Sequence, residues 1–158
     1  MLWIKRFLVL ALIIFIALQF VRPERNNGGY ESLKPFLAET KPSKNVEAIL
    51  KSACYDCHSD QTKYPWYAEV APISFWLNDH IEEGKHHLNF SAWKGYSAKR
   101  KDKKLDELIE EVTDGEMPLD SYTLIHKDAV LTSSEITALL DWARATRINY
   151  SLKAARPR

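Results

Sequence analysis

The sequence lacks an excess of charge of either sign. Its 158 residues include 22 lysines and arginines against 21 aspartates and glutamates, for a net charge of +1. A nucleic-acid-binding protein needs a clear basic excess on one surface to meet the phosphates. We therefore expect no nucleic-acid partner.

Recognisable catalytic motifs are also missing. No paired carboxylates, nucleophile triad or glycine-rich phosphate loop stands out along the chain. We therefore expect no catalytic residues, and we predict a binding or carrier protein rather than an enzyme.

Cysteine is scarce, and its placement is the strongest signal in the sequence. The two cysteines both lie in the run Cys54-Tyr55-Asp56-Cys57-His58, and C-x-x-C-H is the attachment signature of c-type haem. On a helical turn, residues three apart share a face, so both thiols can add to the two vinyl groups along one haem edge. His58 is then carried beneath the ring, where an imidazole nitrogen can bind iron as the proximal ligand. The motif predicts one covalently bound haem c.

Two other uses of a C-x-x-C pair remain as alternatives. A dithiol redox pair usually belongs to an alternation of strands and helices, and this sequence shows no strand pattern. A structural zinc site usually needs a second matched pair of ligands, and no second cysteine pair exists.

Methionine is equally rare, which narrows the choice of a sixth iron ligand. Apart from Met1, the chain has only Met117, next to Pro118, which restricts the backbone of the residue before it. A thioether is a soft, neutral ligand that favours ferrous iron, so we predict Met117 as the sixth ligand. His80, on an apolar helical face, is the alternative, and the remaining candidates are His86, His87, His126 or an open site. An open site would suit an enzyme or a sensor for peroxide or a small gas.

The N-terminus has the pattern of a membrane-targeting segment. Lys5 and Arg6 precede an apolar run from Phe7 to Val21 that is interrupted only by Gln19, and this resembles a signal sequence. Because no small-x-small cleavage site follows, we favour a retained single-pass anchor over residues 1–22, with a cleaved signal as the alternative. The basic residues before the run predict a cytoplasmic N-terminus. The body would then lie in the periplasm at a bacterial inner membrane, where the haem-attachment machinery acts.

The rest of the chain divides by composition and periodicity. Residues 23–42, with three prolines and a glycine pair, are predicted to form a flexible tether. Residues 43–149 are predicted to form the haem-binding domain, and 150–158 a basic tail. Apolar residues at helical spacing predict four helices. They run from Ser43 to Cys54, with Ser43 or Asn45 as the N-cap, from Pro72 to Glu83 with Gly84 as the stop, from Leu105 to Val112, and from a Thr132–Glu135 capping box to about Ile148. Residues 85–104 are predicted to form a loop with a solvated basic end.

These residues resemble the bacterial haem-binding domain family, which is related to c-type cytochromes. The resemblance rests on several landmarks between Asn45 and Trp142, and these are Cys54-Tyr55-Asp56-Cys57-His58-Ser59, Pro65-Trp66-Tyr67, Ala71-Pro72, Glu83-Gly84, Leu88-Asn89-Phe90-Ser91, Trp93, Gly115-Glu116-Met117-Pro118 and His126. Two positions depart from the family pattern: His80 stands where we expect an aliphatic residue, and Leu119 where we expect a proline.

The resemblance implies an all-α, small cytochrome-c-like domain around one covalently bound haem. Cys54 and Cys57 would attach it, His58 would be an axial ligand, and Met117 occupies the place expected of the methionine. With the N-terminal membrane helix in front, we expect a membrane-anchored electron carrier that serves redox partner proteins.

Overall fold

The computed structural model describes residues 1–154, and this part of the chain is helical, with no β-strand. The predicted all-α fold is confirmed. The α-helices are α1 (Leu2–Leu18), α2 (Lys34–Thr40), α3 (Lys44–Ala53), α4 (Tyr55–His58), α5 (Ile73–His87), α6 (Ala98–Asp114), α7 (Asp120–Thr123) and α8 (Ser133–Ala154). Short 3-10 helices cover Tyr30–Leu33, Trp66–Glu69, Phe90–Gly95 and Lys127–Ala129.

Helix α1 accounts for most of the predicted membrane segment. None of its residues is buried. Between Met1 and Ala154, no helix combines the length and the apolar character that crossing a bilayer would take. The transmembrane helix predicted for residues 1–22 is therefore not supported.

The segment predicted to be a tether, residues 23–42, is instead part of the packed domain. It contains a 3-10 helix and α2, and Pro35 lies in the first turn of α2, where its missing N–H costs nothing. Leu33 and Phe36 are almost fully buried, and the Phe36 ring contacts the ring of Phe90 at a centroid distance of 4.7 Å. A helix of seven residues is too short to show a clear apolar period, so the composition of this segment predicts a tether instead.

Helices α3, α6 and α8 form the centre of the domain. Helix α6 packs along α8, and α3 also packs on α8. Their buried residues follow the predicted helical stripes, and these residues are Val46, Ile49 and Leu50 on α3, Leu105, Leu108 and Val112 on α6, and Leu139, Leu140 and Ala143 on α8.

The helix starts predicted from capping residues are confirmed. The Val46 N–H donates to the Ser43 hydroxyl at 3.3 Å. At the start of α8, the Thr132 N–H donates to Glu135 Oε2 at 2.8 Å, and the Glu135 N–H donates to Thr132 Oγ1 at 3.3 Å. This reciprocal pair is the capping box.

The predicted loop at 85–104 is wrong. Helix α5 continues to His87, a 3-10 helix follows, and α6 begins at Ala98. Phe90 and Trp93, both in the supposed loop, are completely buried. Lys101, in the basic run, is buried as well. Its Nζ pairs with Glu39 Oε2 at 2.7 Å. The sequence does not indicate this burial, because Phe90 and Trp93 lie on one short 3-10 helix and Lys101 pairs with a residue on the distant helix α2.

The last helix also extends further than predicted. Helix α8 reaches Ala154 rather than ending near Ile148, so residues 150–154 of the predicted basic tail are helical. Residues 155–158 of that tail lie outside the described residues. Tyr150 is buried, and the Trp93 indole N–H donates to its hydroxyl at 3.1 Å. This bond joins the C-terminal part of α8 to the 3-10 helix that carries Trp93.

Replacing Tyr150 with phenylalanine is expected to destabilise the domain. The Trp93 N–H would remain buried without its acceptor, which costs about 1–3 kcal/mol. Urea unfolding of the Tyr150→Phe variant measures this loss. Tyr30→Phe is the control, because Tyr30 is exposed and its replacement should leave the midpoint unchanged. Equal midpoints for both variants would show that the Trp93–Tyr150 bond does not contribute to stability.

Candidate functional site

The predicted site residues line one cavity. It has a volume of about 530 Å³, which is within the range of small-molecule and cofactor pockets. Cys54, Cys57, His58, His80 and Met117 all line it. The structure therefore brings together the residues that the sequence singled out, although they come from three separate segments.

The two cysteines lie on a single helical turn. Helix α3 ends at Ala53, and the N–H groups of Cys57 and His58 both donate to the Cys54 carbonyl, at 3.2 and 2.9 Å. The turn has an inner and an outer side, since the Tyr55 ring is buried and contacts the Phe90 ring at 5.7 Å. Tyr55 thus secures the turn to the core while both thiols face the cavity.

His58 is held in one orientation by two backbone carbonyls. Its Nδ1 lies 2.9 Å from the Gly84 oxygen and 2.9 Å from the Leu88 oxygen. Carbonyl oxygens only accept, so Nδ1 carries the proton and donates, and Nε2 keeps a free lone pair. A metal-binding histidine characteristically donates its other N–H in this way. Burial lowers the pKa of His58, which further favours the neutral ring.

Gly84 lets α5 approach the turn closely. A Cβ on this residue would lie 2.8 Å from the Cys57 oxygen and 3.1 Å from the Cys57 Cβ. The prediction that Gly84 stops the helix is therefore wrong, because α5 passes through it. Its role is to bring the Gly84 and Leu88 carbonyls within reach of His58.

Met117 reaches the cavity through the end of α6. Gly115 ends that helix with a φ of 78°, a left-handed conformation that glycine adopts without strain. The Met117 N–H then donates to the Glu111 carbonyl at 3.1 Å, and the peptide bond to Pro118 is cis. Met117 and Leu119 both line the cavity.

The histidine alternatives differ in position. His80 lines the cavity, with its Nδ1 donating to the Trp76 carbonyl at 2.9 Å. His87 also lines the cavity, whereas His86 and His126 are not among the lining residues. Among the histidines, His80 and His87 therefore remain candidates beside Met117.

The thiols are poorly suited to dithiol redox chemistry. Burial, and then the charge of Cys57, raises the pKa of Cys54 to about 12. Burial, and then the charge of Asp56, raises the pKa of Cys57 to about 11. Redox-active cysteines have a lowered pKa because the thiolate is the nucleophile, so this environment disfavours the dithiol alternative.

The chain matches a known protein family. The sequence model of the haem-binding domain family covers residues 13–145. The chain belongs to the haem-binding domain family. No curated protein and no solved structure matches it.

The lining of the cavity is suited to the ligand that the family name describes. Leu88, Phe90, Leu108 and Val112 supply apolar walls, as a porphyrin face requires. A thiol pair, an imidazole with a free Nε2 and a thioether are all groups that hold haem in proteins. A zinc site is not favoured, since the described residues contain no group of three or more His, Cys, Asp or Glu placed to bind a metal ion.

Sequence reasoning missed two groups in this haem-binding domain. Tyr122 lines the cavity, and its hydroxyl donates to Asp56 Oδ2 at 2.8 Å. Lys104, assigned to a solvated basic stretch, also lines the cavity and pairs with Glu107 at 2.7 Å. No local pattern points to the Tyr122–Asp56 bond, because it depends on how two distant segments pack. The Lys104–Glu107 pair lies three residues apart on α6, a spacing that indicates an ion pair on a helix, but its place at the cavity depends on packing.

Replacing Gly84 with alanine is expected to push α5 away from the turn at Cys57. The clash should cost about 1–3 kcal/mol of stability, as overpacking usually does, and should lower the fraction of protein that carries haem. Urea unfolding and the haem-to-protein absorbance ratio measure the two effects. Gly95→Ala is the matched control, since a Cβ there meets nothing within 4 Å. A Gly84→Ala variant as stable and as well loaded as Gly95→Ala would contradict this role.

The stability of chain made without haem is expected to depend on His58. Because its folded pKa lies below the usual 6.5, the unfolded chain takes up a proton on this residue before the folded chain does. The His58 contribution to stability is present above about pH 6.5 and is lost as the pH falls below it. The difference in melting temperature between wild type and His58→Gln should therefore shrink at low pH. His86→Gln is the control, because His86 is exposed, and its melting temperature should follow that of wild type across the pH range. A difference in melting temperature between wild type and His58→Gln that stays the same at every pH would contradict the burial of a neutral His58.

Proposed function

We propose that this haem-binding domain is a single-haem, c-type electron carrier. Cys54 and Cys57 would hold the haem covalently, His58 would bind iron through Nε2, and Met117 would bind the opposite side. When bound, the haem supplies one-electron redox chemistry.

One arrangement carries this proposal. The two thiols and the free Nε2 of His58 belong to one helical turn at the cavity, and the Met117 thioether lies in the same cavity. Two thioether bonds would tie the cofactor to α4, which Tyr55 and Gly84 hold between the core and α5. The haem edge would therefore keep a constant position.

The pair of axial ligands favours a carrier over an enzyme. With His58 and Met117 both bound, no iron position would remain open for a substrate. Outer-sphere transfer needs none, since few bonds rearrange when the electron arrives. Redox partner proteins would then approach the exposed edge of the cavity.

The N-terminal segment supports a proposed location. Every residue of α1 is unburied, and Lys5 and Arg6 precede its apolar run as in an export signal. We place the domain on the periplasmic side of a bacterial inner membrane, where residues 1–22 would direct it. Haem attachment to the reduced thiols would occur there.

Absorption spectra of the protein made with haem-attachment machinery test the proposal. We expect a pyridine haemochrome spectrum of c type, a mass increased by one haem, and a weak near-infrared sulfur-to-iron band in the oxidised protein. The Met117→Ala variant should lose that band and bind carbon monoxide rapidly when reduced, because its sixth position is open.

His80→Ala is the matched control, because His80 lines the same cavity. It should keep the near-infrared band. A band that survives in Met117→Ala would assign the sixth position to another residue. A colourless protein with the mass of its amino acids alone would reject the function as a whole.

A further inference from the structure

A hydrogen bond connects the haem-attachment turn to the segment that follows Met117. Tyr122 donates its hydroxyl to Asp56 Oδ2 at 2.8 Å, and Asp56 lies between the two cysteines. The other carboxylate oxygen of Asp56 accepts from the Lys63 N–H at 3.0 Å. The acceptor is therefore held in place from both sides.

Backbone hydrogen bonds connect Tyr122 to the loop that carries Met117. It lies on the short helix α7, where its N–H and that of Thr123 both donate to the Leu119 carbonyl at 3.0 Å. Only Pro118 separates Leu119 from Met117, and all three line the cavity. The backbone of Tyr122 is therefore bonded to a residue only two positions after Met117.

A second contact holds the Tyr122 ring from outside the cavity. His126 stacks on it with a centroid distance of 4.2 Å and an interplanar angle of 16°. The His126 Nε2 forms a hydrogen bond of 2.9 Å with the Tyr67 hydroxyl. Tyr122 thus contacts the Asp56 turn directly and is connected to Tyr67 through His126.

We propose that Tyr122 is a positioning residue that, through its hydrogen bond to Asp56, holds Met117 in the sixth iron position. The inference rests on the function proposed above. A methionine on a loop is easily displaced unless the loop is restrained. The Tyr122–Asp56 bond supplies the restraint by connecting the segments that carry the two sides of the site.

Displacement of Met117 by added imidazole tests this role in the full haem-loaded protein. The near-infrared band is followed as imidazole is titrated in. Tyr122→Phe, which keeps the ring but loses the donor, should lose the band at an imidazole concentration about tenfold lower than wild type, the effect expected for one lost hydrogen bond to a charged group. Asp56→Asn should shift the titration in the same direction by less, because a neutral amide oxygen is a weaker acceptor.

Two comparisons make the result specific. Tyr64→Phe is the matched control, since Tyr64 accepts a hydrogen bond from the Asn26 N–H at 2.7 Å and does not line the cavity, and it should titrate as wild type. In the double variant of Tyr122→Phe with Asp56→Asn, the shifts should not add, since both changes act on one bond.

The outcomes separate the two proposals. A wild-type band with a Tyr122→Phe titration equal to that of Tyr64→Phe would overturn the positioning role and leave the proposed function intact. Additive shifts in the double variant would also overturn it. Absence of the band in wild type would remove Met117 ligation and this inference together.

Discussion

The site depends on the hydrogen bonds between His58 and α5. The ring donates from Nδ1 to the carbonyls of Gly84 and Leu88, and this arrangement requires α5 to continue as far as His87 and to lie almost in contact with Cys57. Gly84 permits that approach, since any side chain there would meet the Cys57 backbone. One close crossing of two helices therefore selects the tautomer of His58 and the direction in which Nε2 points.

The aromatic core behind the turn makes this geometry rigid. Tyr55 contacts Phe90, and Phe90 contacts Phe36, so the inner side of the turn at Cys54–His58 packs on rings from two distant segments. Phe36 belongs to a part of the chain that looks like a linker in composition. Without it, the core behind α4 would be open on one side. A site held on packed helices is positioned more accurately than one on loops.

Predictions from the sequence agree with the structure where the interactions join residues close together in the chain. The Ser43 cap, the Thr132–Glu135 capping box and the apolar stripes of α3, α6 and α8 were predictable, because each depends on residues three or four apart on one helix. Errors occurred where long-range packing decided the outcome. Gly84 looked like a helix stop but is a contact point, and Lys101 looked solvated but is buried against Glu39 on α2.

The sequence by itself determined which reactive groups share the turn at Cys54–His58. Two thiols three residues apart lie on one face of a helix, and the imidazole follows directly, so their relative placement follows from backbone geometry. Only the tertiary structure decided what faces that turn. His80 reaches the cavity from α5 and Met117 from the loop after α6, and Tyr122 reaches Asp56 from α7. These approaches depend on how α5 and α6 pack against the rest of the domain, and residues distant in the chain leave no local periodicity from which their contact can be read.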